Sequence, residues 1–101
     1  TIMDADHLIN ASLQIIPLSG AKGHYHYIDE AIKVIQESGL KYMVTPMETV
    51  IEGRKDDVLN VLDEAREAAL RAGAEELLVN IKIHLKKNAD VTFGEKVDKF
   101  K

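Results

Sequence analysis

At 101 residues and 11.3 kDa, with 46% hydrophobic and 30% charged residues, the chain is sized for a single domain spanning 1–101 that buries a core without covalent staples. It contains no cysteine, which excludes disulfides, thiolate metal sites, iron–sulfur clusters and a cysteine nucleophile. A formal charge of −4 opposes a nucleic-acid backbone, no stretch approaches the ~18 apolar residues of a membrane span, and the first residues lack the basic start and apolar core of a secretion signal; a cytoplasmic protein with no nucleic-acid and no membrane partner is expected.

From residue 7 to 18 apolar and polar residues alternate, with Ile9, Ala11, Leu13 and Ile15 on one face and Asn10, Ser12 and Gln14 on the other, the mark of a strand buried on one side. Pro17 and the run Ser19-Gly20-Ala21-Lys22-Gly23 are expected to end it. The glycines follow neither the phosphate-loop nor the dinucleotide spacing, so no nucleotide cradle is predicted. Between His24 and Ser38, Tyr25, Ile28, Ile32 and Ile35 recur three or four apart and predict a helix with that buried face, closed by Gly39. Strands are expected around 41–45 and 47–52, with Pro46 marking the change between them. A second helix starts near Asp56 with acids in its first turn, buries Val58, Leu62, Ala65, Ala69 and Ala72, and ends at Gly73. Alternation returns from Leu77 to Leu85, with Leu77, Val79, Ile81, Ile83 and Leu85 set against Leu78, Asn80, Lys82, His84 and Lys86. In the tail, Thr92 and Glu95 have capping-box spacing, and a short helix there would align Phe93, Val97 and Phe100, two of them phenylalanines that need something to dock on.

The order βαββαβ plus a tail helix folds most economically as an α+β, ferredoxin-like sandwich: a four-stranded antiparallel sheet with two helices on one face and a short C-terminal helix. The first and fourth strands are neighbours in that arrangement, so the open sheet face carries Asn10, Ser12, Gln14, Asn80, Lys82 and His84. Such a face is a self-association surface, a ligand platform, or both. A second cluster lies in Thr45–Gly53, where Glu48, Thr49 and Glu52 follow Pro46 in a short extended segment, a pattern of ligand contacts and equally of plain hairpin edges.

Lys82 and His84, two apart on one strand, point the same way and would meet a phosphate or a partner carboxylate. His24 and His26 would pair on a metal only in extended backbone, and a helix start there makes them diverge. Ser12, His84 and Glu52 are residue types of a nucleophilic triad, but no nucleophile-elbow pattern accompanies them. No catalytic residue, no cofactor and no metal site is therefore expected.

Taken together, Ser12-Leu-Gln-Ile-Ile-Pro17, Tyr27-Ile-Asp-Glu-Ala-Ile-Lys-Val-Ile, Glu37-Ser-Gly-Leu-Lys-Tyr, the Thr45–Gly53 segment and Asn80-Ile-Lys-Ile resemble the small thiamine-binding family of ferredoxin-like proteins, in order and over most of the chain. The resemblance implies a domain that pairs sheet to sheet into a homodimer or homotetramer and binds thiamine or its hydroxymethylpyrimidine half without catalysis, as a carrier or sensor in thiamine supply. It carries a Thr-x-x-Glu-Gly signature onto Thr49, Glu52 and Gly53, and an Ile-Lys-Ile strand onto Ile81, Lys82 and Ile83. The chain departs from the family pattern at Glu48, where a glycine is expected before the threonine, and at His84 and Lys86, where many members have Asp and Arg. It also has Gly23-His24-Tyr25-His26 in place of a Ser/Thr-containing turn. An aminopyrimidine needs an acceptor for its amine, edge partners and a flat or apolar wall. Glu52 or Glu48 is the expected amine acceptor, Asn10, Ser12 or Asn80 the edge partners, Thr49 a positioning hydroxyl, and Tyr25 or Tyr42 the wall, with Lys82 and His84 beside them. Tyr42 reads more readily as a half-buried packing residue than as a stacking wall. The alternatives are an oligomeric interaction module with no small ligand, and a small enzyme acting on a heterocycle.

Overall fold

The computed structural model describes residues 7–101; residues 1–6, part of the segment read for a secretion signal, lie outside them. Strand β1 (Leu8–Gly20), helix α1 (His24–Glu37), strands β2 (Lys41–Val44) and β3 (Thr49–Arg54), helix α2 (Lys55–Arg71) and strand β4 (Ala74–His84) follow in the expected order. A five-residue helix α3 (Phe93–Val97) then runs into a 3-10 turn at Asp98–Phe100. The sheet order is β2-β3-β1-β4 with every neighbouring pair antiparallel, and α1 and α2 cover one face, which is the ferredoxin-like α+β sandwich. Among the described residues no helix is long and apolar enough to cross a membrane.

Strand periodicity decides which side chains meet. Ile9, Ala11, Leu13 and Ile15 of β1 and Ile51 of β3 face the helices, where they pack on Val58, Leu62, Ala65 and Ala69 of α2. The alanines let α2 lie close to the sheet and to α1. On α1 the buried line is Tyr27, Ala31 and Ile35, one step around from the expected face, and Tyr25 is 79% exposed. The reason is local: apolar residues also stand beside that line, at Ile28, Ile32 and Val34, so spacing alone marks a wide stripe, and the small Ala31 selects where the close approach occurs.

Several boundaries differ from expectation for equally local reasons. β1 continues through Pro17, because β3 pairs with it only as far as Leu13↔Thr49 and beyond that β4 is its single neighbour. A residue without an N–H is tolerated on such a one-sided stretch, and register shifts between Pro17 and Gly20 absorb the irregularity. At Gly20 a Cβ would lie 2.7 Å from Cζ of the buried Tyr27, so glycine lets the backbone pass the ring. β3 starts at Thr49, two residues later than expected, because Thr45 builds a turn: its Oγ1 accepts the Glu48 N–H at 3.1 Å and donates to the Glu48 carbonyl at 2.5 Å. β4 begins at Ala74, directly after Gly73 (φ +116°) leaves α2.

Candidate functional site

The open face of the sheet is laid out in rows by the strand registers. Glu52 of β3, Asn10 of β1 and His84 of β4 form one row, Val50, Ser12 and Lys82 the next, and Gln14 and Asn80 a third. Lys41 and Met43 of β2 extend the first two. One end of this face is covered, because the tail crosses it. The Leu8 N–H donates to Asp90 Oδ1 at 2.8 Å and the Val91 N–H to the Leu8 carbonyl at 2.9 Å, which lays Val91 flat on the sheet with no exposed surface. Thr92 and Glu95 then close the expected capping box, Glu95 N–H donating to Thr92 Oγ1 at 3.1 Å and Thr92 N–H to Glu95 Oε1 at 2.9 Å.

Two sheet side chains hold the tail from below. Glu52 accepts the Phe93 N–H at 2.5 Å, and Asn10 Nδ2 donates to the Val91 carbonyl at 3.0 Å and to Glu52 Oε1 at 3.4 Å. Lys41 Nζ lies 3.8 Å from Glu52 Oε2 and 5.5 Å from the centre of the Phe93 ring. Phe93 is thereby docked, whereas Phe100 remains 77% exposed.

Between the tail and the second row lies a basin of about 380 Å³. Its polar lining is Asn10, Ser12, Glu48, Lys82, His84 and Lys96, and Met43, Val50, Phe93 and Val97 supply apolar wall. The Ser12 hydroxyl donates to the Glu48 carboxylate, and Lys82 Nζ stands 3.5 Å from it, so Glu48 is held below the usual glutamate pKa, chiefly by Ser12 and then by Lys82. The carboxylate is a fixed negative charge at neutral pH. Asn10 is 6% exposed, and its Oδ1 is buried without a donor. Turning the amide over does not relieve this, because Nδ2 already faces two acceptors, the Val91 carbonyl and Glu52. A buried carbonyl oxygen left unmatched costs about 1–3 kcal/mol.

Of the expected site residues, the structure brings Asn10, Ser12, Glu48, Lys82 and His84 to one basin. Glu52 lies at its edge, 8% exposed and committed to the chain's own donors. Asn80 is on the same face but one row away, donating to Gln14 Oε1 at 3.2 Å. Thr49, expected to work with Glu48 and Glu52, points to the opposite face, because alternation along β3 separates neighbours. It is 5% exposed and lines a second cleft, of about 680 Å³, which Glu48 also reaches, together with Tyr25, His24 and Met47. Tyr42 is opposite Ile51, also on the helix side. His24 and His26 open α1, and among the described residues no three metal-ligating side chains converge. Lys96 and Val97 were not anticipated as lining. Val97 had a signal, the apolar side of a capped tail helix, whereas a lone lysine in a charged tail had none.

The sequence profile of the thiamine-binding protein family matches residues 11–101. A UPF0045 protein of Clostridium perfringens is 38% identical over 92 residues, covering 91% of this chain and 96% of that protein. Among solved structures, a domain of unknown function, DUF77, from Bacillus cereus superposes with a TM-score of 0.90 at 40% identity, covering 94% of this chain and 91% of that one. A Thermotoga maritima protein provisionally assigned to thiamine biosynthesis or salvage superposes with a TM-score of 0.82 at 26% identity, covering 93% and 99%.

Proposed function

The chain belongs to the thiamine-binding protein family, and on that premise we propose that it binds thiamine or its hydroxymethylpyrimidine moiety in the basin under the tail, as a carrier or sensor with no catalytic step. The observation that carries this reading is the Glu48 carboxylate, an ionised acceptor held beside Ser12 and Lys82 in an apolar-walled cavity. An exocyclic amine is a donor of the right kind for it. Phe93, Val50 and Val97 offer a wall for a flat ring. Glu52 is not part of the basin's lining and its Oε1 already accepts from Phe93 and Asn10, so the amine is assigned to Glu48 in its place. Calorimetric titration of the purified chain with thiamine and with hydroxymethylpyrimidine tests this. Saturable binding at micromolar or tighter, weakened about tenfold by Glu48→Gln, is expected for a lost charge-assisted hydrogen bond. No heat and no thermal shift with either compound would overturn it.

Self-association is favoured by a separate feature, the free edge of β4. It offers eleven residues paired on one side only, with Leu78, Ile81 and Ile83 half-exposed, acids Glu75 and Glu76 at its start, Lys82 and His84 towards its end and Lys86 just beyond it. Antiparallel pairing with a second copy sets the acidic end against the basic end and covers the apolar residues. A homodimer or homotetramer built this way predicts a molar mass that falls on dilution and a dimer weakened by Glu76→Lys, read by sedimentation equilibrium. A concentration-independent monomer refutes it.

A further inference from the structure

The chain is acidic overall, with a formal charge of −4, yet the rim of the basin is basic. Lys82 and His84 from β4 and Lys96 from α3 line it, against the single carboxylate of Glu48. Every carboxylate in the neighbourhood already has donors of its own. Glu48 takes the Ser12 hydroxyl and Lys82. Glu52 takes the Phe93 and Asn10 N–H groups and has Lys41 at 3.8 Å. Glu95 takes the Thr92 N–H and has Lys86 Nζ at 3.0 Å, with His84 acting on it from a greater distance. Lys96 has no ion-pair partner among the described residues. The cavity therefore offers a heterocycle the Glu48 carboxylate and is short of an anion beside Lys96 and His84.

We propose that the preferred ligand is a phosphate ester of the aminopyrimidine compound, its ester group seated among Lys96, His84 and Lys82. This rests on the heterocycle-binding reading above and concerns which form of that ligand the site selects. The hydroxymethyl arm of the pyrimidine, like the hydroxyl of thiamine, is a point where a phosphoryl group attaches. A phosphate monoester brings a charge of about −1.5 to −2 at neutral pH and three acceptor oxygens. Ammonium donors from two different elements meet such a group without altering the ring contacts. Because the cations are exposed, their effect is screened by salt, so selection for the ester weakens as ionic strength rises.

The test is a calorimetric comparison of hydroxymethylpyrimidine and thiamine with their monophosphates, and of thiamine diphosphate, on the full chain at low and at high salt. The monophosphates are expected to bind at least tenfold more tightly than the free compounds at low salt, with the ratio shrinking at high salt. Preference for the diphosphate over the monophosphate would assign the site to the longer anion and leave the proposal standing. In Lys96→Gln the ratio of ester to free-form affinity should fall severalfold, and in Lys96→Arg it should be retained. Equal affinities of free and esterified compounds, or a ratio unmoved by Lys96→Gln, would overturn the proposal while leaving heterocycle binding intact. Absence of binding by every compound would overturn both.

Discussion

The two ends of the same sheet face behave as different surfaces. At one end Asn10 lies under the tail, 6% exposed, holding Glu52 and the Val91 carbonyl and keeping one oxygen unmatched. At the other, Asn80 stands in solvent and satisfies itself by donating to Gln14 at 3.2 Å, beside the half-exposed Leu78. Both asparagines are on the open face, two rows apart. What separates them is the tail, which takes one from water and leaves the other. A polar strand position becomes demanding only after an element removes its solvent, because an unmatched group costs little in water and about 1–3 kcal/mol when dehydrated.

The largest break in that contrast comes from the tail's anchor. Glu52→Ala leaves the Phe93 and Asn10 N–H groups without their acceptor and should cost roughly 1–3 kcal/mol of stability. Thermal unfolding reads the loss, faster hydrogen exchange at Val91 and Phe93 locates it, and the basin's affinity for its ligand should fall with it. An unchanged melting temperature together with unchanged exchange would show that the tail is held by other contacts.

A smaller effect follows from acid. The Leu8 N–H holds Asp90 below its usual 3.8, and the Thr92 N–H, followed by Lys86, holds Glu95 below its usual 4.5. Carboxyls with lowered folded pKa values add stability that is fully present above their unfolded values and is lost as pH falls through the folded ones. Tail docking should therefore be constant from neutral pH down to about 5 and weaken below about 4, measured as the exchange rate of the Val91 amide across that range. Weakening already between pH 7 and 6 would show that these two carboxylates do not govern the docking.

The smallest effect belongs to the bare end. Asn80→Ala should change stability by no more than about 0.5 kcal/mol and leave ligand affinity untouched, since the lost bond is exposed. A markedly larger loss in concentrated than in dilute protein would mean that a second copy covers this end, and would sharpen the contrast from two surfaces into a site and an interface.

Much of this was legible beforehand. The alternation of Ile9 to Ile15 against Asn10 to Gln14, the apolar spacing on α2, and Gly39 and Gly73 beyond the helix ends are local patterns of period two or 3.6, and they reappear in the fold. The Thr92–Glu95 box was equally plain, because both partners lie within one turn. Less legible was the buried line of α1, where flanking apolar residues blur the helical face. The placement of Thr49 relative to Glu52 was also hard to read, for a short-range reason: β3 begins after the Thr45 turn, and its alternation turns Thr49 to the helix side, where it shares a cleft with Glu48.

By itself, then, the sequence determined the order of elements, the face that β1 and β4 turn to the helices and the polar groups those two strands carry on the other face, because those follow from backbone geometry repeated every few residues. Only the tertiary structure decided what that row is for. The contact of Glu52 with Phe93 spans 41 residues and that of Asn10 with Val91 spans 81. No local pattern encodes which carboxylate is spent on a tail arriving from so far along the chain, which one stays at the basin, or which asparagine oxygen is shut away from water.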